Sequence, residues 1–153
     1  MEIIRVADVY QLHDMAAATV PEDMPLTTVI SRFALDPNLR AIFLINSNEI
    51  FTHMLSRLDV LIWAHLQLFG GNGIREITVS DFVRIRGAKN VKSLARRDEH
   101  SFSIKANDTL RTALNRMIEY KEDIIPVLDE NGKVIGDLRL SEVLSKTLES
   151  CRF

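Results

Sequence analysis

Apolar residues recur along this chain in two alternating rhythms, and the same succession of rhythms occurs twice. Leu26, Val29, Ile30 and Phe33 are spaced i, i+3, i+4, i+7, which predicts a helix with one apolar stripe. An unbroken apolar run "AIFLI" (41–45), a polar turn "NSNE" and a returning "IFTHML" predict a β-hairpin. A second helix begins near Ser56, runs through Trp63 and Leu66, and ends after Phe69 at "GGNG". Later in the chain, Leu110, Ala113, Leu114 and Met117 repeat the first spacing. "IIPVL", "DENGK" and "KVIGDL" repeat the hairpin, and a helix follows near Leu140. Val20 and Ile104 lie in short extended stretches ahead of each first helix, with Asp23 and Asp108 as N-cap candidates and Pro25 in a first turn.

The two passages align residue by residue. Residues 42–61 lie over residues 125–144 without a gap, at an offset of 83 (125 − 42). "PLTTVISRF" (25–33) lies over "TLRTALNRM" (109–117) at 84, one loop residue more. Such internal repetition governs the fold. Each unit reads β-α-β-β-α, and the expected class is α+β (α/β-like), two repeats packed with pseudo-two-fold symmetry. A fainter echo, "IRVADV" (4–9) and "ITVSDF" (77–82), precedes each unit. The expected division is residues 1–73 for the first repeat with its N-terminal segment, and 74–153 for the second, with a basic insertion at about 84–100.

Composition narrows the function. With 46% hydrophobic and 26% charged residues, the 153-residue chain is of globular type. A net charge of −2 and a pI near 6.1 give no global signature of nucleic-acid binding. Cys151 is the single cysteine, so no internal disulfide and no CxxC zinc pair exist. His13, His65 and His100 show no metal-ligand spacing. The longest apolar run, "VLIWAHLQLF", is too short for a bilayer span, and the mixed first residues carry no secretory signal. A cytoplasmic protein without membrane contact is expected. No GxSxG, GxxxxGK[ST] or HExxH occurs, and "GGNG" follows a helix instead of a strand. Neither catalysis nor a cofactor is expected.

The second hairpin then carries a telling run: Ile125, Pro126, Val127, Leu128, Asp129, then Gly132, Gly136 and Glu142. The first copy has Phe43, Asn46, Glu49 and His53 at the positions of Pro126, Asp129, Gly132 and Gly136, yet keeps "SRLDVL" (56–61). Over residues 18–148 this doubled pattern resembles a tandem CBS-domain pair, the Bateman module. The resemblance implies a regulatory module that binds AMP, ADP, ATP or S-adenosylmethionine in a cleft between repeats, acts on a partner, and pairs into a homodimer.

Two readings fit Ser56 and Asp59. One is a capping box, imperfect because aspartate is shorter than the usual glutamate or glutamine. The other is a ligand site: a helix N-terminus and a hydroxyl for phosphate, and a carboxylate whose two oxygens suit a vicinal diol. Their counterparts Arg139 and Glu142 form either an exposed i,i+3 pair or an altered phosphate and ribose contact. The first cleft is therefore expected to be competent and the second degenerate. The resemblance also points to Thr19, Val20 and Ile42, and to Ile104 and Ile125, as walls for a base, although each suits a core equally. It makes Arg40 a phosphate contact or a surface arginine, and His53 a stacking group or a solvent-facing strand residue. The basic stretch 84–97 is either a solvated helix face or mobile linker, or a contact for phosphate, partner or RNA, and Val91, Leu94 and Ala95 suit one side of a short helix. The alternative to nucleotide sensing is a degenerate pair that binds nothing and serves as a dimerisation or docking scaffold.

Overall fold

The computed structural model describes residues 3–10, 18–97 and 102–152. They contain, in chain order, α1 (Ala7–Tyr10), β1 (Thr19–Pro21), α2 (Leu26–Leu35), β2 (Ala41–Ile45), β3 (Phe51–Ser56), α3 (Arg57–Phe69), α4 (Val79–Arg86), α5 (Val91–Leu94) and β4 (Arg96–Arg97). These are followed by β5 (Ile104–Lys105), α6 (Leu110–Tyr120), β6 (Ile124–Leu128), β7 (Val134–Arg139) and α7 (Leu140–Ser150). The fold is α+β, and the chain divides into two units.

One unit is Ala18–Arg97. Its sheet runs β1-β2-β3-β4, with β1 parallel to β2 and the other pairs antiparallel. The core joins Val20, Ile42, Leu44 and Leu55 of the sheet to Val29 of α2, Ile85 of α4, and Val91, Leu94 and Ala95. The other unit combines the described parts of Met1–Ala17 and Asp98–Phe153 around the sheet β5-β6-β7. Its N-terminal strap is tied down by backbone bonds: Leu110 N–H donates to the Ile4 carbonyl at 2.8 Å and Val6 N–H to that of Asp108 at 2.9 Å.

This division departs from the expected boundary at 73/74. Residues 79–97 complete the first repeat's core, and residues 3–10 join the second repeat. The reason is burial. Ile85, Val91 and Leu94 are at most 1% exposed, and the sheet they cover is that of the hairpin before them. The anticipated insertion thus becomes a helix, a short helix and an edge strand of the preceding repeat; residues 98–101 lie outside the described chain.

The two hairpins repeat in register. Ala41 faces Ser56 as Ile124 faces Arg139, and an irregularity falls between Leu44 and Ile45 as between Val127 and Leu128. Both turns are built alike. The Asn46 side chain accepts from Asn48 and Ile50 N–H, and the Asp129 side chain from Asn131 and Lys133 N–H. Glu49, at φ 63°, holds the left-handed conformation that Gly132 holds at 82°. The expected caps are corrected: Pro25 and Thr109 occupy the N-cap positions, and Thr109 Oγ1 accepts from Thr112 N–H. Asp108 instead turns back to accept from Lys105 N–H, and no cap bond involves Asp23.

A left-handed glutamate is strained where glycine is not. Glu49→Gly is expected to stabilise the protein by up to about 1 kcal/mol, and Gly132→Ala to destabilise it by about 1 kcal/mol. Denaturant midpoints of the two variants, moving in opposite directions, check this.

Candidate functional site

In the 18–97 unit, three chain segments meet at one end of the sheet. Parallel pairing places the starts of β1 and β2 together, and antiparallel pairing brings the end of β3 beside them. Ser56, the last residue of β3, is also the N-cap of α3, so the helix begins at that edge. Half-buried Arg40 precedes Ala41, the residue paired with Ser56. Side chains alternate across a strand, and cross-strand partners share a face. Thr19, Ala41, Phe43, Met54 and Ser56 therefore fall on one face; Val20, Ile42, Leu44, His53 and Leu55 fall on the other.

That parity sorts the predicted residues. Thr19 and Ser56 share a face and an end. Val20 and Ile42 are spent in the core, so only their backbone groups can meet a ligand. His53 does not point to solvent: it is 6% exposed, with Nδ1 3.8 Å from a Glu22 carboxylate oxygen that also accepts from Thr52 at 2.8 Å.

The Ser56–Asp59 pair is a closed capping box. Asp59 N–H donates to Ser56 Oγ at 3.3 Å, while Asp59 Oδ2 accepts from Ser56 N–H and Oγ, each at 3.1 Å. The short aspartate does reach. Asp59 is only 3% exposed, and its second oxygen faces Arg84 of α4, with Nη2 to Oδ1 at 2.9 Å. Arg84 also donates to Asp81 Oδ1 at 3.1 Å and to the Leu94 carbonyl. Burial works against the Arg84 charge, but Asp59 and Asp81 outweigh it and raise its pKa. Burial likewise pushes Asp81 up, yet bonds from Arg84 and Thr78 leave its carboxyl below the usual value. Such a buried network is strong only because each member is satisfied. Cap and candidate site are thus the same atoms, and a diol must compete with partners already in place.

Arg84 is the site residue that the sequence does not single out, since it lies among the arginines and lysines of the basic stretch 84–97. The available signal was local. Arg84 directly precedes the apolar Ile85 and follows Asp81 by one turn, which favours an inward, paired arginine over a free one.

The second unit has the same geometry with different chemistry. Ile104 faces Val127 as Val20 faces Leu44, the start of β6 and the end of β7 lie together, and α7 follows Arg139 directly. Ile104 and Ile125 are fully buried core residues. The expected Arg139–Glu142 ion pair is replaced. Arg139 Nε donates to buried Asp137 at 3.0 Å, and Glu142 Oε1 accepts from the Arg139 backbone N–H at 3.0 Å. An arginine has no acceptor, so only half of a capping box forms. Glu142 is 7% exposed, and its other oxygen has no hydrogen-bond partner among the described residues. Burial, the largest cause, raises its pKa to about 7; Asp137 adds to this, while the Arg139 N–H and charge oppose it. A separate apolar cavity of about 580 Å³, bordered by Ile3, Ile4, Leu110, Leu114 and Ile118, includes none of the predicted residues.

Residues 91–149 match the family model of the CBS domain. A stretch of 74 residues, 42% of this chain, is 36% identical to the osmoprotectant import ATP-binding protein OsmV of Salmonella typhimurium, and the match spans 19% of that protein's length. A CBS domain-containing protein from Thermotoga maritima has a TM-score of 0.79 at 22% identity, covering 100% of both chains. A CBS domain pair solved with 5′-methylthioadenosine and S-adenosyl-L-methionine scores 0.69 at 11% identity, over 98% of this chain and 100% of that one. A CBS domain protein from Pyrobaculum aerophilum complexed with AMP scores 0.67 at 15% identity, over 96% and 100%.

Asp59→Ala would leave Arg84 short of one anion and α3 without its N3 acceptor; a loss of roughly 2–4 kcal/mol is expected in urea unfolding, against about 1 kcal/mol for Ser56→Ala. Glu142 has a folded pKa above its ordinary 4.5, so its contribution to stability is complete below that pH and is lost as pH rises through about 7. Glu142→Gln mimics the protonated carboxyl. It should match the wild type at pH 4 and exceed it at pH 8 by on the order of 3 kcal/mol, measured by denaturation at both pH values.

Proposed function

Because residues 91–149 form a CBS domain and the chain has the fold of a CBS-domain pair, we propose that it is a regulatory module binding an adenosine-containing small molecule at the Ser56–Asp59 end of the 18–97 unit. The reading is carried by one observation: a carboxylate 3% exposed stands in the first turn of α3, where the starts of β1 and β2 also converge. A helix start offers N–H groups without helical acceptors and a favourable dipole for a phosphate, and half-buried Arg40 lies alongside. Asp59 accepts the ribose hydroxyls by exchanging one of its present partners. Thr19 and the backbone of Val20 and Ile42 meet the base, since the two apolar side chains are committed to the core. AMP, ADP, ATP and S-adenosylmethionine are the candidate ligands. The 102–152 unit, with Arg139 held by Asp137 and a glutamate at the ribose position, is the altered site.

A second reading has its own support. Every Asp59 oxygen is already partnered, and α3 exposes Leu58, Leu61, Leu68 and Phe69. These features suit a pair that binds no nucleotide and serves as a homodimer or docking scaffold. Among the described residues, no helix is long and apolar enough to cross a membrane.

Titration calorimetry with AMP, ATP, S-adenosylmethionine and 5′-methylthioadenosine separates the readings. At least one compound is expected to bind, to add about 2.7 kcal/mol of stability at a hundred times its Kd, and to lose at least about tenfold affinity in Asp59→Asn. No heat with any compound, together with a stable dimer in light scattering, selects the scaffold.

A further inference from the structure

We propose that Arg84 is a displaceable occupant of the Asp59 carboxylate, and that a ligand's vicinal hydroxyls compete with its guanidinium for Oδ1. The proposal rests on the adenosine reading above and adds to it a residue that sets the binding threshold. Asp59 Oδ2 is held by Ser56 N–H and Oγ, which fix the helix start. Oδ1 is the oxygen reached from outside the box, and Arg84 Nη2 stands on it at 2.9 Å. A diol that takes both oxygens would dismantle the cap; a diol that takes Oδ1 has only the guanidinium to move.

The guanidinium has somewhere to go. It already donates to Asp81 Oδ1 at 3.1 Å on its own helix and to the Leu94 carbonyl. Release from Asp59 therefore leaves no bare buried cation, the situation that makes breaking most buried pairs costly. Helix α4 need not leave either, because Ile85, 1% exposed, anchors it in the core. The exchange is confined to one side chain, and Asp81 acts as its parking place. The other unit shows the contrast: Glu142 keeps an oxygen that no described group bonds.

Two substitutions must then act in opposite directions. Arg84→Gln removes the competitor and should tighten binding roughly tenfold. Asp81→Asn weakens the alternative partner, commits Arg84 to Asp59, and should weaken binding several-fold; the α4 cap survives, since Thr78 Oγ1 takes the backbone N–H of residue 81. The probe is 5′-methylthioadenosine, which has no phosphate, so a lost attraction between arginine and phosphate cannot mask the effect. Calorimetry on both variants and the wild type, each checked for folding by circular dichroism, gives the answer. If Arg84→Gln fails to fold, Arg84→Met replaces it, because it keeps an unbranched stem for packing and removes the competing cation. Opposite shifts support the proposal. Equal affinity in all three proteins overturns it while sparing the adenosine reading, and weaker binding to Arg84→Gln makes Arg84 a ligand contact instead. No binding of 5′-methylthioadenosine in any of them overturns the proposal, and the adenosine reading then falls only if AMP, ATP and S-adenosylmethionine give no heat either.

Discussion

A carboxylate withdrawn from water must be met from every side, and the 18–97 unit is arranged around that requirement at Asp59. Ser56 meets one oxygen and thereby fixes where β3 ends and α3 begins. Arg84 meets the other and thereby fixes α4 against α3. Asp81 and the Leu94 carbonyl then hold Arg84, which ties in α5. One buried charge thus joins four consecutive elements, β3, α3, α4 and α5. The apolar residues Ile85, Val91 and Leu94 supply the non-directional part of the same closure. Ile85 keeps α4 in the core, and that docking is what lets Arg84 reach the carboxylate.

Much of the fold was legible from periodicity. Both hairpins, the helical stripes and the gapless offset of 83 (124 − 41) return in the register of the strands, down to the irregularity at matching positions. These features survive because a pleated strand has a period of two and a one-residue slip would turn every core residue outward. Helix starts were less legible: Asp23 and Asp108 looked like caps, but the chain turned one or two residues later, at Pro25 and Thr109. The division into units was not legible. The echo between residues 4–9 and 77–82 was visible, but nothing local said that the first copy would settle on the last hairpin and the second on the first.

At the candidate site, the sequence named the carboxylate and left its partner unidentified. Ser56 and Asp59 sit within one turn of each other, so their geometry follows from helix pitch. Arg84 is twenty-five residues downstream of Asp59, and its pairing depends on how α4 docks, which no local pattern encodes. The base-wall residues failed to stand out for a different reason. Val20, Ile42, Ile104 and Ile125 are all at most 1% exposed, and a buried apolar side chain reads the same whether or not its backbone also faces a ligand. The comparison between Asp59 and Glu142 is more informative than either alone. One methylene and an arginine in place of serine turn a closed box into a half-formed one with a proton-sensitive oxygen.

The strap of residues 3–10 has a temporal consequence. It is made before the 18–97 unit, yet its hydrogen-bond acceptors and donors lie at residues 106–110, more than ninety residues later. At about 5–20 residues per second, the ribosome delivers a complete 18–97 unit roughly 0.5–3 s before the strap has anything to bind. During that interval residues 3–10 wait for their partners while the 18–97 unit folds behind them, so this stretch of chain closes from the inside outward.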